Sequence, residues 1–113
     1  MAECLFCNLA TGKIKSDLIY KDENLIVLKD INPQAPVHLL VIPVKHYANI
    51  NAAAKTDPEI VSKLLAECAR QGEEFGGENG FRIVVNTGKH GGQTVEHLHF
   101  HILAGRELQW PPG

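Results

Sequence analysis

Short runs rich in apolar, β-branched and aromatic residues recur along the chain between polar segments, a pattern typical of β-strands. The first two stretches flank a polar turn at 22–24 and predict a β-hairpin. The third is a continuous apolar run that Pro43 ends, so it predicts a largely buried strand. The segment 30–36 before it carries two prolines and breaks the sheet. The five predicted strands are 18–21, 25–29, 38–42, 81–86 and 96–103.

A second pattern, in which apolar residues recur every three or four positions, predicts one long amphipathic helix over 58–75. Two different start signals precede it. Thr56 and Glu59 have the spacing of a capping box, while Asp57 can cap a helix that has Pro58 at its first position. Two glycines after residue 75 end the helix.

Near the N-terminus, residues 4–11 predict a short helix or turn, with Gly12 as its stop. Successive strands with a single long helix predict an α+β fold, in which an antiparallel sheet of about five strands carries the helix on one face. The other face is then free for a ligand. A chain of 113 residues without repeats or a linker fits one domain over 1–113.

The charge pattern argues for a small ligand. The formal net charge is −2, and acidic and basic residues are interspersed rather than in blocks. Neither a nucleic-acid footprint nor a patch for an anionic membrane is present, so neither is expected as a partner. The first residues are acidic rather than basic and apolar, and no apolar run approaches the length of a membrane span, so a cytoplasmic location is expected.

Half of the six histidines lie in one stretch, at His97, His99 and His101. Successive side chains of a strand point to opposite faces, so this spacing places three imidazoles on one face and Leu98 and Phe100 on the other. A neutral imidazole can act as a nucleophile and a protonated one as a donor, and adjacent rings can divide these roles. One face of the strand can therefore react while the other packs.

The loop directly upstream, residues 86–94, supplies glycines that let the backbone approach a ligand and short polar side chains that can hydrogen-bond phosphate oxygens. Loop and histidines together predict a site for chemistry at phosphorus. The alternative is a polar strand whose histidines face solvent.

The chain has three cysteines, and two of them form a Cys-x-x-Cys pair at Cys4 and Cys7. In a reducing compartment, metal binding or redox work is favoured over a structural disulfide for such a pair. Two free thiols in a short helix remain the alternative. Cys68 lies in the helical pattern and is expected in the core.

Together these motifs resemble those of the histidine triad hydrolases and transferases, and in particular their Hint branch. The defining pattern is three histidines that alternate with hydrophobic residues, here His97-Leu98-His99-Phe100-His101. Residues 30–36, 38–43, 91–95 and the closing Trp-Pro-Pro-Gly at 110–113 also match, so the resemblance spans nearly the whole chain. Two positions differ from the common pattern: Val37 replaces a small hydroxyl residue and Thr94 replaces serine.

The resemblance implies that His99 is the nucleophile, that His101 donates to the phosphate oxygens, and that His97 and His38 orient and buffer this pair. It implies hydrolysis of the P–N bond of purine nucleoside 5'-phosphoramidates to AMP through a nucleotidyl-histidine, in a homodimer. Substrate contacts are implied at Asn86, Gly92, Gln93 and Thr94 for the phosphate, at Asp30 for the ribose, at Phe6, Leu9, Leu28 and Ile31 for the base, and at Trp110 in the closing segment.

Two other functions stay open: a dinucleoside polyphosphate hydrolase, and a non-catalytic module that binds a nucleotide or a protein partner. The cysteine pair is similar to that of zinc-bearing members of the family. This resemblance implies a structural zinc held by Cys4, Cys7, His46 and His97, which the chemistry itself does not need.

Overall fold

The computed structural model describes residues 4–113, which form a five-stranded sheet with helices on both faces. Every pair of neighbouring strands is antiparallel, and their order is β1-β2-β3-β5-β4. The α+β prediction is confirmed. The strands are β1 (Leu18–Lys21), β2 (Leu25–Lys29), β3 (Val37–Pro43), β4 (Phe81–Val85) and β5 (Phe100–Ala104). The helices are α1 (Leu5–Thr11), α2 (Ile50–Thr56), α3 (Pro58–Gly76) and α4 (Gly88–Gly91), with a 3-10 turn at Gly77–Asn79.

The two faces of the sheet bury different clusters, as alternation along the strands requires. On one face, Leu39 and Phe100 pack with Leu64 and Cys68 of α3, and Cys68 is fully buried as expected. On the other face, strand residues such as Leu40 pack against α1. This face, which the sequence pattern predicts to be free, is thus partly covered by α1.

Helix α2 is an element that the sequence analysis did not predict. Asn49 is its N-cap, and its side chain accepts a hydrogen bond from the Ala52 N–H at 2.9 Å. Thr56 ends this helix, and its hydroxyl donates to the Ala52 carbonyl at 2.8 Å. The predicted Thr56–Glu59 capping box is therefore wrong, because Thr56 belongs to the preceding helix.

The start of α3 is closer to the second prediction, with Pro58 at the first helical position and Asp57 at the N-cap. The Asp57 carboxylate does not cap the helix, because it accepts a hydrogen bond from the Tyr47 hydroxyl at 2.9 Å. The helix is amphipathic, although Leu65 and Phe75 of its apolar pattern are exposed. Within residues 4–113, no helix is long and apolar enough to cross a membrane.

Strand β5 begins at Phe100, four residues later than predicted. Before it, the Leu98 N–H donates to the Tyr47 carbonyl at 2.7 Å instead of joining the sheet ladder. Alternation of the side chains nevertheless continues through this segment. Leu98 packs with the α3 cluster, and the rings of His97 and His99 lie against Phe6 on the α1 side.

Candidate active site

A largely apolar pocket of about 310 Å³ opens between α1, the β2–β3 connection and the histidine strand. Its size is in the range of small-molecule sites. Four predicted base contacts line it, together with Asp30, Thr94, His99 and His101. These base contacts are Phe6, Leu9, Leu28 and Ile31. Further lining residues that the sequence did not indicate are Leu5, Ile14, Lys15, Ser16, Lys29, Leu40 and Val95.

His99 is buried at the floor of this pocket, with 5% of its surface exposed. Its Nδ1 lies 2.8 Å from the main-chain oxygen of His97. Because a carbonyl oxygen can only accept, Nδ1 carries the proton and Nε2 keeps a lone pair. Burial lowers the pKa of His99 below its ordinary value, so the ring is neutral at pH 7. The site therefore holds a neutral imidazole with a fixed nucleophilic nitrogen.

His101 and His38 form a pair of imidazoles beside His99. The distance from His38 Nε2 to His101 Nδ1 is 2.9 Å, and Asp30 Oδ2 lies 3.3 Å from the same His38 nitrogen. Burial, reinforced by the neighbouring His99 and His38, lowers the pKa of His101 to about 4. Burial also lowers the pKa of His38, against the opposing charge of Asp30. Both rings are neutral at pH 7.

His97 faces away from the pocket and is fully buried. Its Nε2–H donates to the Pro43 carbonyl at 2.9 Å, which leaves the lone pair on Nδ1. That nitrogen lies 3.2 Å from Cys4 Sγ, 3.5 Å from Cys7 Sγ and 3.1 Å from His46 Nδ1. The structure thus brings together the four residues of the predicted metal site.

The geometry of this cluster fits a metal ion. All four ligand atoms lie within 4.8 Å of one another. Ligands of a tetrahedral zinc, with bonds of about 2.0–2.1 Å to nitrogen and 2.3 Å to sulfur, are spaced about 3.3–3.8 Å apart. The Pro43 carbonyl fixes the tautomer of His97, as main-chain oxygens do for many metal-bound histidines. Two thiols and two imidazoles can therefore hold a metal here.

The loop upstream of the triad is shaped by Gln93. Its amide donates to the main-chain oxygens of Ala48 and Val95 at 2.8 and 3.0 Å, and its Oε1 accepts from the Gly88 N–H at 3.0 Å. Both amide hydrogens are thus used within the protein, and a contact of Gln93 with phosphate stays a prediction. Gly92 has a φ of 84°, in the left-handed region that favours glycine, and it ends α4.

The remaining predicted contacts lie at the edges of the site. Asn86 follows β4 and is half-buried, while Thr94 is exposed at the pocket. Ile31 is 97% exposed at the rim. Trp110 is 81% exposed and does not line the pocket of its own chain; the tail is held by Arg82, which donates to the Gln109 carbonyl at 3.0 Å.

An antiparallel sheet that presents alternating histidines at the floor of an apolar pocket defines a histidine triad protein. Residues 11–108 match the model of the HIT domain, and the chain belongs to this family. It is 41% identical over 114 residues to an uncharacterized HIT-like protein of a Synechocystis strain, with both chains covered completely.

Solved structures agree with this assignment. A HIT family hydrolase from Legionella pneumophila has a TM-score of 0.93 and 43% identity, over 98% of this chain and 100% of that one. A zinc-bound histidine triad family protein from Mycobacterium smegmatis has a TM-score of 0.80 and 34% identity, over 91% of this chain and 75% of that one. The fold and the relatives together indicate a HIT hydrolase-like protein.

Proposed function

We propose that the protein hydrolyses the P–N bond of purine nucleoside 5'-phosphoramidates, such as AMP conjugated to an amine, and releases AMP. The observation that carries this proposal is the fixed tautomer of His99, which directs the lone pair of a neutral, buried imidazole into the pocket. In the first step His99 Nε2 bonds to phosphorus and the P–N bond to the amine breaks. In the second, water attacks phosphorus and the bond to His99 breaks, which frees AMP.

An amine leaves phosphorus poorly unless it gains a proton, so a donor must lie near the leaving group. His101 and Thr94 both line the pocket beside His99. We propose that both donate hydrogen bonds to the charged phosphate oxygens and the leaving nitrogen, and that the exposed Thr94 hydroxyl gives its proton to the amine while it takes one from solvent water. Their neutral N–H and O–H groups are suited to hydrogen-bond a phosphate at pH 7.

The pocket also suits a nucleoside. Phe6, Leu9 and Leu28 form an apolar wall for a base, and Asp30 at its edge supplies carboxylate oxygens for ribose hydroxyls. Asp30 is ordered by a hydrogen bond from the Asn32 N–H to its Oδ1, at 2.8 Å. We propose that Ile31 covers the other side of the base from the rim.

The substrate class is tested by comparing a fluorogenic adenosine phosphoramidate with diadenosine tetraphosphate. We expect kcat/KM for the phosphoramidate to exceed that for the diadenosine compound by at least about tenfold, since the site provides donors for an amine leaving group. The reverse order would favour the polyphosphate hydrolase. Tight AMP binding with turnover of neither compound would favour a non-catalytic module.

We further propose that the Cys4, Cys7, His46 and His97 cluster binds one structural zinc. Two thiolates and two imidazoles form a closed ligand set, so the metal would have no open position for a substrate. Its proposed role is to tie α1, which carries Cys7, to the segment before β5, which carries His97. The ion supplies this crosslink, while the reaction itself uses the histidines of the pocket.

We propose that the protein is a homodimer that pairs through β4. This strand lies at the edge of the sheet, so one side of its backbone has no partner strand within residues 4–113. Phe81 on β4 and Leu65 on the neighbouring α3 are large, exposed apolar residues. Pairing two copies about a two-fold axis would cover both features and extend the sheet. The exposed Trp110 would then reach the partner's site.

Light scattering at micromolar concentration should give about twice the 12.4 kDa mass of one chain. Leu65→Glu should shift the protein toward monomer, because it places a charge in the proposed interface. Leu18→Glu is the matched control, since Leu18 is similarly exposed but lies on β1 at the opposite edge of the sheet. A wild-type mass near that of one chain would refute the dimer.

A further inference from the structure

A chain of hydrogen bonds runs from the main chain of the loop at 30–36 to the active-site residue His101. The Gln34 N–H donates to His38 Nδ1 at 3.0 Å. A main-chain N–H can only donate, so His38 must present a lone pair at Nδ1 and carry its single proton on Nε2. The tautomer of His38 is thus set by a backbone group.

The same reasoning extends to the next ring. His38 Nε2 lies 2.9 Å from His101 Nδ1. Because the proton is on His38 Nε2, His101 Nδ1 must be the acceptor of this hydrogen bond. A neutral His101 then carries its own proton on Nε2. This nitrogen is the remaining polar atom of a ring that lines the pocket.

A competing use of these residues is a second metal site. The ligand atoms of Asp30, His38 and His101 are close enough to one another to hold an ion, and two histidines with one carboxylate are a common ligand set. A metal at His38 Nε2 would need the lone pair of that nitrogen. A neutral imidazole has one such lone pair, and the Gln34 N–H occupies it at Nδ1. The arrangement favours a hydrogen-bond relay.

Gln34 is itself held from the strand that carries His101. Arg106, two residues beyond the end of β5, donates to the Gln34 carbonyl through Nε at 3.3 Å and Nη2 at 3.0 Å. Pro33 and Pro36 restrict the backbone on either side, since each proline fixes its own φ. Arg106 thus fixes the peptide group that follows Gln34, and Pro33 restricts the residue before it, so the position of the Gln34 N–H is restrained from outside the pocket.

We propose that Gln34, through its main-chain N–H, and Arg106, through the Gln34 carbonyl, are positioning residues that make His101 present an Nε2–H to the substrate. The inference rests on the proposed function, because that donor is the one that the P–N cleavage requires. A His101 of the opposite tautomer would present an acceptor to the phosphate oxygens, which repel it.

The tautomers can be measured without turnover. Long-range ¹H–¹⁵N spectra of the wild-type protein, recorded at neutral pH, distinguish a protonated from an unprotonated ring nitrogen. We expect Nε2–H for His38 and His101 and Nδ1–H for His99. An Nδ1–H at His38 or at His101 would overturn the relay, whatever the enzyme hydrolyses. Absence of phosphoramidate turnover with the expected tautomers would instead overturn the proposed function alone.

Two variants at one position separate the N–H from the side chain. Gln34→Pro removes the main-chain N–H. Gln34→Ala removes most of the side chain but keeps the main-chain N–H. We expect kcat of Gln34→Pro to be at least about tenfold below that of Gln34→Ala, with similar KM, because one well-aimed donor contributes at least this factor to the rate. We also expect His101 of Gln34→Pro to populate both tautomers. Equal kcat and unchanged tautomers in the two variants would contradict the proposal.

Arg106→Met tests the same relay if Gln34→Pro does not fold, since it leaves the loop sequence intact. We expect kcat to fall by about threefold or more while KM for the nucleotide changes little, because the residue does not line the pocket. His38 and His101 spectra identical to wild type, together with unchanged kcat, would exclude Arg106 from the relay.

Discussion

Replacing His99 with Ala should abolish turnover, with kcat at least about 10³-fold lower, while AMP still binds. The expected loss is large because the His97 carbonyl fixes the proton on His99 Nδ1 and leaves Nε2 as the nucleophile. The apolar wall and Asp30 remain in place, so the nucleotide keeps its contacts. Single-turnover kinetics measure the first effect, and calorimetric titration with AMP measures the second.

His99→Asn is the matched variant for this test. An asparagine amide can still donate to the His97 carbonyl and fill part of the space beside Phe6, whose ring centroid is 4.8 Å from that of His99. It has no nucleophilic nitrogen, so we expect it to be as inactive as the alanine variant. Wild-type enzyme quenched at alkaline pH should carry labelled nucleotide on His99, because a histidine–phosphorus bond is stable in base and labile in acid. A His99→Ala protein with more than about a tenth of the wild-type kcat would contradict the nucleophilic role.

The sequence predicts well those elements whose pattern is local. Strands β1 to β4 and helix α3 lie within one or two residues of their predicted bounds, because the strands are short apolar runs between turn residues and the helix repeats its apolar residues every three or four positions. Helix α2 was missed because it spans only seven residues and buries a single alanine, Ala53. A helix that short has no apolar stripe, and its clearest signal is the Asn49 cap.

The late start of β5 has a different cause. Alternation of side chains continues through Leu98 and Phe100, so the pattern alone predicts strand from residue 96. The pattern does not reveal the hydrogen-bond partner of the backbone, and the Leu98 N–H bonds to Tyr47 in the connection after β3. The consequence for function is small, since the imidazoles still share one face.

The site was predicted in its side chains but not in its main-chain groups. The three alternating histidines and the cysteine pair were identified from residue type and spacing, whereas Asp30, His38 and His46 were identified from the family resemblance. The carbonyls of His97 and Pro43 and the Gln34 N–H set the tautomers, yet any residue can supply a carbonyl and any residue except proline an N–H. Pocket residues such as Ile14 also escaped prediction, because separate segments of the chain meet only in the folded structure.

The proposed metal site and His99, the proposed nucleophile, are coupled through one residue. His97 offers Nδ1 to the cysteine cluster, and its carbonyl holds His99. Phe6, on the same helix as Cys7, lies against both rings. Zinc binding should therefore stabilise the helix that forms one wall of the pocket as well as the segment that carries the nucleophile.

Protein purified without chelator should contain about one zinc per chain, and its removal should lower the Tm by more than about 10 °C. The reason is linkage: a ligand that binds only the folded state at about 1,000 times its Kd stabilises by roughly 4 kcal/mol. Elemental analysis and thermal unfolding, with and without chelator, measure the two quantities. Less than a tenth of one zinc per chain, with both Cys4 and Cys7 freely titratable, would exclude the site.

The variant that isolates the metal is His46→Ala, because His46 is exposed and its loss opens no cavity in the core. It should lose zinc and unfold at a lower temperature than wild type, while in chelator the two proteins should unfold alike. His90→Ala is the control, since it removes an equally exposed histidine that lies outside the cluster. If His46→Ala were destabilised equally with and without chelator, its effect would come from packing, and the zinc proposal would lose His46 as a ligand.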